Sequence, residues 1–330
     1  MENNESSLES IVDTMETVVT GIPAPLRKNF FKAFGQLCTA AVDIPVALLE
    51  GKSSEIRALT EARIKIIKKE GDTISDKVEV PKEYVAKASS KYASKIIKEQ
   101  INLDDITLNA AQDLRSKEVK GDSEPQQEIA DDWLNEFESH ARLKSSEEMK
   151  LIFGKILSSE VSSPGSFSIR TIRQIAQLDN QAAKLFQLLC SQSIAMNFGA
   201  GIYDARVVSF NGNAASNSLS QFGLSFDNLN VLQEYGLIIS DYNSYMGYGP
   251  CIAHDGSRVS ASLLFNNKAY GLIPTDEEAY DKSLSLHGVA LTKSGKELLS
   301  IIPINNSSAY EAALIEYFQS KHLRMVELDK

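Results

Sequence analysis

LIFGKILSSEVSSPGSFSIRTIRQIAQL, residues Leu151 to Leu178, has the clearest local grammar in the chain and decides how its middle folds. Together with Met149 just before it, Ile152, Phe153, Ile156 and Leu157 recur at helical spacing and form one apolar stripe. Ser145-x-x-Glu148 ahead of them reads as a capping box. Ser162-Ser163-Pro164-Gly165 then breaks the helix, because proline cannot continue the hydrogen-bond ladder and glycine supplies the turn. Ser168 can cap a second helix, whose buried side is expected at Ile169, Ile172, Ile175 and Ala176. The stretch specifies a corner between two packed helices and carries no catalytic set.

The same logic extends on both sides. Downstream, Asp179 can cap a third helix with Ala182, Leu185, Phe186 and Leu189 turned inward. Upstream, Ile129, Trp133, Phe137 and Ala141 recur every fourth residue, with Trp133, the only tryptophan, as the expected core anchor. The polar run RSKEVKGDSEP ending at Pro125 reads as a linker, with Glu124-Pro125 as a domain boundary. Residues 125–200 are therefore expected to form a central helical bundle.

Before the linker, residues 1–21 read as a mobile N-terminus and residues 22–124 as a helical region. Pro25 suits the first turn of a helix in which Phe30, Phe34, Leu37, Ala41 and Ile44 share a face until Pro45. A core helix is one reading. The other is a helix lying on a membrane, with Phe30 and Phe34 as the membrane contacts and Arg27, Lys28 and Lys32 at the headgroups. Ile56, Leu59, Arg63 and Ile67 mark a further stripe, flanked by Lys65, Lys68 and Lys69, the densest basic cluster. After Val80-Pro81 another helix is expected, with Val85, Ala88, Tyr92 and Ile96 in register.

The last third changes texture. Leu229, Leu232 and Tyr235 run into Gly236, a helix C′ glycine, and Leu237-Ile238-Ile239 reads as a buried strand. Val259 to Phe265 alternates, Asn266-Asn267-Lys268 turns, and Tyr270 to Ile273 returns. Leu284 to Leu291 is a further strand, Thr292 caps a short helix ended by Pro303, and Ser308-x-x-Glu311 caps a terminal helix. The order helix, strand, hairpin, strand, helix predicts a winged-helix-like α+β domain over residues 201–303, closed by a C-terminal helix over 304–330. The fold class expected is mainly α with a C-terminal α+β part.

Composition narrows function. Lys and Arg number 34 against 44 Asp and Glu, giving a net charge of −10 that repels polyanions. No lysine or arginine occurs between Arg206 and Arg258, where a recognition helix would lie, so DNA binding by the winged-helix-like part stands only as an alternative. Cys38, Cys190 and Cys251 are far apart and read as reduced core thiols in a cytoplasmic protein. The acidic, polar N-terminus is unlike a secretory signal, and the apolar run Ala33–Leu49 is too interrupted to span a bilayer. There is no H-E-x-x-H, P-loop or G-x-S-x-G motif, and His140, His254, His287 and His322 are scattered. No cofactor and no metal site is expected. His254-Asp255 is the least ordinary pair, since a carboxylate can orient an imidazole, but an exposed turn explains it better. Arg170 and Arg173, one helical turn apart after Pro164-Gly165, are the binding candidates: they can clamp an anion or a partner's carboxylate, or make packing ion pairs.

Three features resemble an uncharacterised bacterial family, domain of unknown function 2806. They are IPAPLRKN through AAVDIPVALLEGKSSEIRALTEAR, WLNEFESHA through FGKILSSEVSSPGSFSIRTI, and the LTKSGKELL ending, with PGSFSIRT the most specific core. The resemblance implies a bacterial cytoplasmic protein in a setting of mobile-element or phage-defence genes, and it brings no catalytic residues. The function expected is that of a non-enzymatic adaptor or sensor that binds a protein partner or itself. A DNA-binding regulator and a membrane-acting abortive-infection effector are the alternatives.

Overall fold

The computed structural model describes residues 21–38, 82–117, 127–199, 201–210, 217–254 and 258–328. The expectations for residues 1–20, for Ala41, Ile44 and Pro45, for the stripe from Ile56 to Ile67 with its lysines, for Glu124-Pro125 and for Asp255 lie outside the described residues. The chain divides after Ile169 into two units.

The first unit is helical: α1 (Ala24–Leu37), α2 (Lys82–Arg115), α3 (Asp131–Ala141) and α4 (Glu147–Ser162). Pro25 sits in the first turn of α1, where its missing N–H leaves no helical bond unmade. Ala88 and Tyr92 on α2 are exposed, and the buried side of that helix is carried by Leu103, Ile106, Ala110 and Leu114. α2 and α4 pack along one another. Gly154 makes that approach feasible, because a Cβ there would stand 2.6 Å from the Asn109 Cβ. Phe137 links the helices through its ring, stacked on Trp133 at 5.1 Å and tilted against Phe153 at 5.5 Å.

The expected turn is present, with Gly165 at φ 90°. α4 is capped by Ser146, which accepts from the Met149 N–H at 3.3 Å, one residue after the expected Ser145. The turn is held from within by Glu160, a residue buried at the end of α4. Its carboxylate accepts from the N–H of Gly165 at 2.7 Å and of Phe167 at 3.1 Å. Two charge-assisted bonds to backbone fix the chain's exit from the helix.

The second unit opens with α5 (Ile169–Gln177) and α6 (Asn180–Ser191), the latter capped by Asp179 as its sequence predicts. A seven-stranded sheet follows, built from β1 (Ile194–Asn197), β2 (Ile202–Val208), β3 (Ser244–Gly247), β4 (Ser262–Phe265), β5 (Lys268–Pro274), β6 (Ser285–Ala290) and β7 (Leu323–Glu327). Its order is β3-β6-β2-β1-β4-β5-β7, and every neighbouring pair is antiparallel. α7 (Phe226–Glu234), α8 (Lys293–Leu299) and α9 (Ser308–Ser320) lie between strands in the chain.

This corrects the winged-helix-like expectation and the mainly helical fold class. The β4–β5 hairpin is not a projecting wing. It turns on Asn266 and Asn267, both at positive φ, and lies inside the sheet between β1 and β7. The long span before α8 holds four strands, and α9 is not the last described element, being followed by β7. β2, near the centre, escaped the sequence reading for a physical reason. From Asp204 to Val208, β2 is buried residue after residue, so period-two alternation is absent, and Asp204 and Arg206 add charge where a core strand is expected to be apolar. Tyr310, Leu314 and Phe318 of α9 are buried, and the Tyr310 hydroxyl accepts from the Val208 N–H at 2.8 Å. Leu237-Ile238-Ile239 makes a single bridge, Ile238 to Leu291, in place of the expected strand. Among the described residues no helix is long and apolar enough to cross a membrane.

Candidate interaction surface at the β3 edge

β3 closes one side of the sheet and pairs only with β6 among the described residues. The direction of its backbone groups follows from its neighbour. The His287 carbonyl accepts from the Ser209 N–H, so it points toward β2. In an antiparallel ladder a residue turns its N–H and C=O to the same side, and opposed residues alternate between bonded and unbonded pairs. Tyr245, opposite His287, therefore presents both its N–H and its C=O to the open side. Gly247, two residues on, does the same.

Aromatic and amide side chains flank this open edge. α7 is capped by Ser225 and ends in the expected glycine, with Gly236 at φ 69° and the Leu237 N–H returning to the Leu232 carbonyl. That reversal brings Tyr242 back over the helix, where its ring stacks on Phe226 at 6.3 Å. The Tyr242 hydroxyl lies 2.6 Å from the Asn230 Oδ1 and 2.8 Å from the Gln233 Oε1. One phenol proton serves one of these acceptors, so the other amide must turn its NH2 toward the phenol oxygen. Partial burial pushes the Tyr242 hydroxyl pKa up, which keeps it a donor. Tyr245, 66% exposed, lies against His287 at 5.3 Å. The His287 Nδ1 is 3.3 Å from the Asn243 carbonyl, which can only accept, so Nδ1 carries a proton in this contact.

A buried charged cluster holds β3 in place. Arg206, 2% exposed, donates through Nε and Nη2 to the two carboxylate oxygens of Asp204, at 2.7 and 3.0 Å. Its Nη1 donates to the carbonyls of Ser244 in β3 and Leu286 in β6, at 2.8 and 3.0 Å. Tyr248, just past β3, donates its hydroxyl to Asp204 at 2.8 Å, and burial beside that carboxylate drives its pKa well up. The cluster spends its hydrogen-bonding capacity on positioning the edge strand and leaves little for chemistry.

The residues singled out from the sequence fall elsewhere. Arg170 and Arg173 are both exposed on α5, and the Arg170 guanidinium lies near Gly236 at the end of α7. Phe30 and Phe34 are 0% and 4% exposed, packed in the core of the helical unit, so neither presents a membrane-facing surface. His254 shares a hydrogen bond with the Tyr280 hydroxyl at 2.8 Å. The three cysteines are buried free thiols, and burial pushes Cys251 up to about 12. A Ser–Lys–Asp set went unnoticed in the sequence: Ser158 donates to Asp113 at 2.6 Å and accepts from Lys117 at 2.8 Å. Ser158 is 0% exposed, so the set clasps α2 to α4 and gives a substrate no access to its hydroxyl. The edge surface itself had one sequence signal, the run SDYNSYMGYG from Ser240 to Gly249, whose Tyr, Ser, Asn and Gly content is that of antibody binding loops.

No curated protein and no solved structure matches the chain. A family profile matches residues 86–315, from near the start of α2 into α9, and over that span the chain belongs to the family described as protein of unknown function (DUF2806).

Proposed function

We propose that this chain is an interaction protein, an adaptor or sensor and not an enzyme, and that it binds through the β3 edge and the aromatic surface beside it. The observation that carries the reading is Tyr245: its backbone groups face the open edge and its ring stands in solvent, against His287. Aromatic side chains already fixed by neighbours give large contact area while losing little rotamer freedom on binding. A free strand edge adds main-chain hydrogen bonds to an incoming segment. The setting in phage defence that the family resemblance implied belongs to this proposal, as the circumstance in which the partner is met.

The test is the native mass of the particle drawn from cells making the intact chain, compared with the Tyr242→Ala/Tyr245→Ala variant. The expected result is a particle heavier than the 36.3 kDa chain that falls to the mass of the chain alone in the variant. Equal masses for both would defeat the reading. So would turnover of nucleotide, nucleic acid or peptide by the pure protein, abolished by one point change.

A further inference from the structure

The charge around the β3 edge says what kind of segment it takes. Phe226, Asp227, Asn230, Gln233 and Glu234 are exposed at helical spacing along one side of α7, so the carboxylates flank the Phe226–Tyr242 stack. Asp241, also exposed, lies three residues before β3 and accepts the Ser244 N–H through its backbone carbonyl. Asp227, Glu234 and Asp241 have no ion-pair partner among the described residues. No lysine or arginine occurs from residue 207 to residue 257, and Arg170, whose guanidinium stands at the Gly236 end of α7, makes no ion pair with Glu234. Lys282, on the connection opposite Gly249, is adjoined by Asp281. The surface thus combines an excess of negative charge, exposed aromatic faces and outward backbone groups on an edge strand.

Resting on the reading of this edge as the binding surface, we infer that its occupant is an extended, Lys- or Arg-bearing segment of a partner protein, added to the sheet beside β3. The backbone of such a segment bonds the N–H and C=O of Tyr245 and Gly247. Its cationic side chains reach the three carboxylates and lie over the rings of Tyr242, Tyr245 and Phe226, where the quadrupole favours a cation. Charge also decides against a second copy of this chain as the occupant. Across a two-fold axis the same patch meets itself, which would set Asp227, Glu234 and Asp241 against their own duplicates.

The experiment titrates the full chain with fluorescent, end-blocked peptides alternating valine with arginine, valine with glutamate and valine with serine. A fourth peptide is the arginine one, N-methylated at every second amide so that it cannot add as a strand. The arginine peptide is expected to bind at least about tenfold more tightly than the other three, less so as salt rises, and to protect the Tyr245 and Gly247 amides from hydrogen exchange. Asp227→Asn/Glu234→Gln/Asp241→Asn, all on the surface, is expected to weaken it about tenfold with an unchanged circular dichroism spectrum. Failure of the arginine peptide to bind, equal binding of the glutamate peptide, or binding indifferent to N-methylation overturns the inference. A concentration-dependent doubling of mass with no peptide present overturns it in favour of self-pairing. If the heavy particle still depends on Tyr242 and Tyr245 in those cases, the reading of the surface survives and only the occupant's chemistry is wrong.

Discussion

The indole N–H of Trp133 donates to the backbone carbonyl of Phe167 at 2.7 Å, and the same residue's amide is held by Glu160. The Ser162–Gly165 turn is therefore fastened on two sides by buried groups from different helices, and the only tryptophan reports on it. Glu160→Ala removes the acceptor for two backbone N–H groups and is expected to cost about 2–4 kcal/mol. Glu160→Gln keeps one carbonyl oxygen and costs about half as much. Urea unfolding followed by Trp133 fluorescence checks both, with exposed Glu148→Ala as the reference. A midpoint for Glu160→Ala no lower than that of the reference would show that the carboxylate is not what holds the turn.

Arg206 and Asp204 make opposite predictions for single and paired changes. Arg206→Met strands the Asp204 carboxylate in the core and is expected to cost about 3–5 kcal/mol. Arg206→Met combined with Asp204→Leu removes both charges and is expected to cost less than the sum of its parts. A double-mutant cycle in urea measures the coupling. Additive losses would mean that the pair contributes no more than two independent contacts.

Gly288 lies in β6 at φ 154°, and a Cβ built there would stand 2.0 Å from the Val207 carbonyl oxygen of the adjacent strand. Neither backbone can yield without parting the sheet between β2 and β6. Gly288→Ala is expected to lower stability by more than about 3 kcal/mol or to prevent soluble expression. Gly165→Ala meets only the cost of its positive φ, since no atom stands within 4 Å of a Cβ there, and is expected to cost about 1 kcal/mol. Similar melting temperatures for the two variants would refute the steric account.

Asp104 gives a pH dependence with a definite sign. Burial, more than any other cause, raises its carboxyl above the usual 3.8, against the lowering effect of hydrogen bonds from Gln100 and Cys38. Because the folded value lies above the unfolded one, the folded chain holds this proton where the unfolded chain has released it. This group's contribution is therefore largest at low pH, falls as pH rises from the usual carboxylate range through the raised folded value, and levels off above it. Asp104→Asn retains an oxygen for the Gln100 side chain and has no charge to desolvate. Its stability relative to the native chain is expected to rise over that window. A difference that stays flat with pH would show that Asp104 is not the group responsible.

How much of this was legible in the sequence depends on how local each cause is. The caps at Asp179 and Thr292 are present as read, because a cap is decided by a few adjacent residues. The cap of α4 falls one residue late, and Ser307, before the expected Ser308, begins α9 without a side-chain bond. The end of α4 and the turn after it were visible because a period and a Pro-Gly break coincide. The β4–β5 hairpin and β6 were visible too, but their union in one sheet was not, because β2 carries Asp204 and Arg206 inside, and their mutual satisfaction depends on Tyr248, Ser244 and Leu286, far along the chain. The missing cations between Arg206 and Arg258 were visible and counted against DNA. What they favoured emerged only once Asp227, Asp241 and Tyr245 were seen on one surface.

β6 has a consequence for synthesis. β3 is made well before it, yet among the described residues β3 reaches the rest of the sheet only through Ser285–Ala290. A nascent chain that has already released Tyr245 from the ribosome has no strand to pair it with until this later segment follows, although Tyr242 can already stack on Phe226. A product cut short before Ser285 would carry the residues proposed for recognition but no neighbouring strand to aim Tyr245. On the proposed reading, binding competence is thereby reserved for molecules translated past that point.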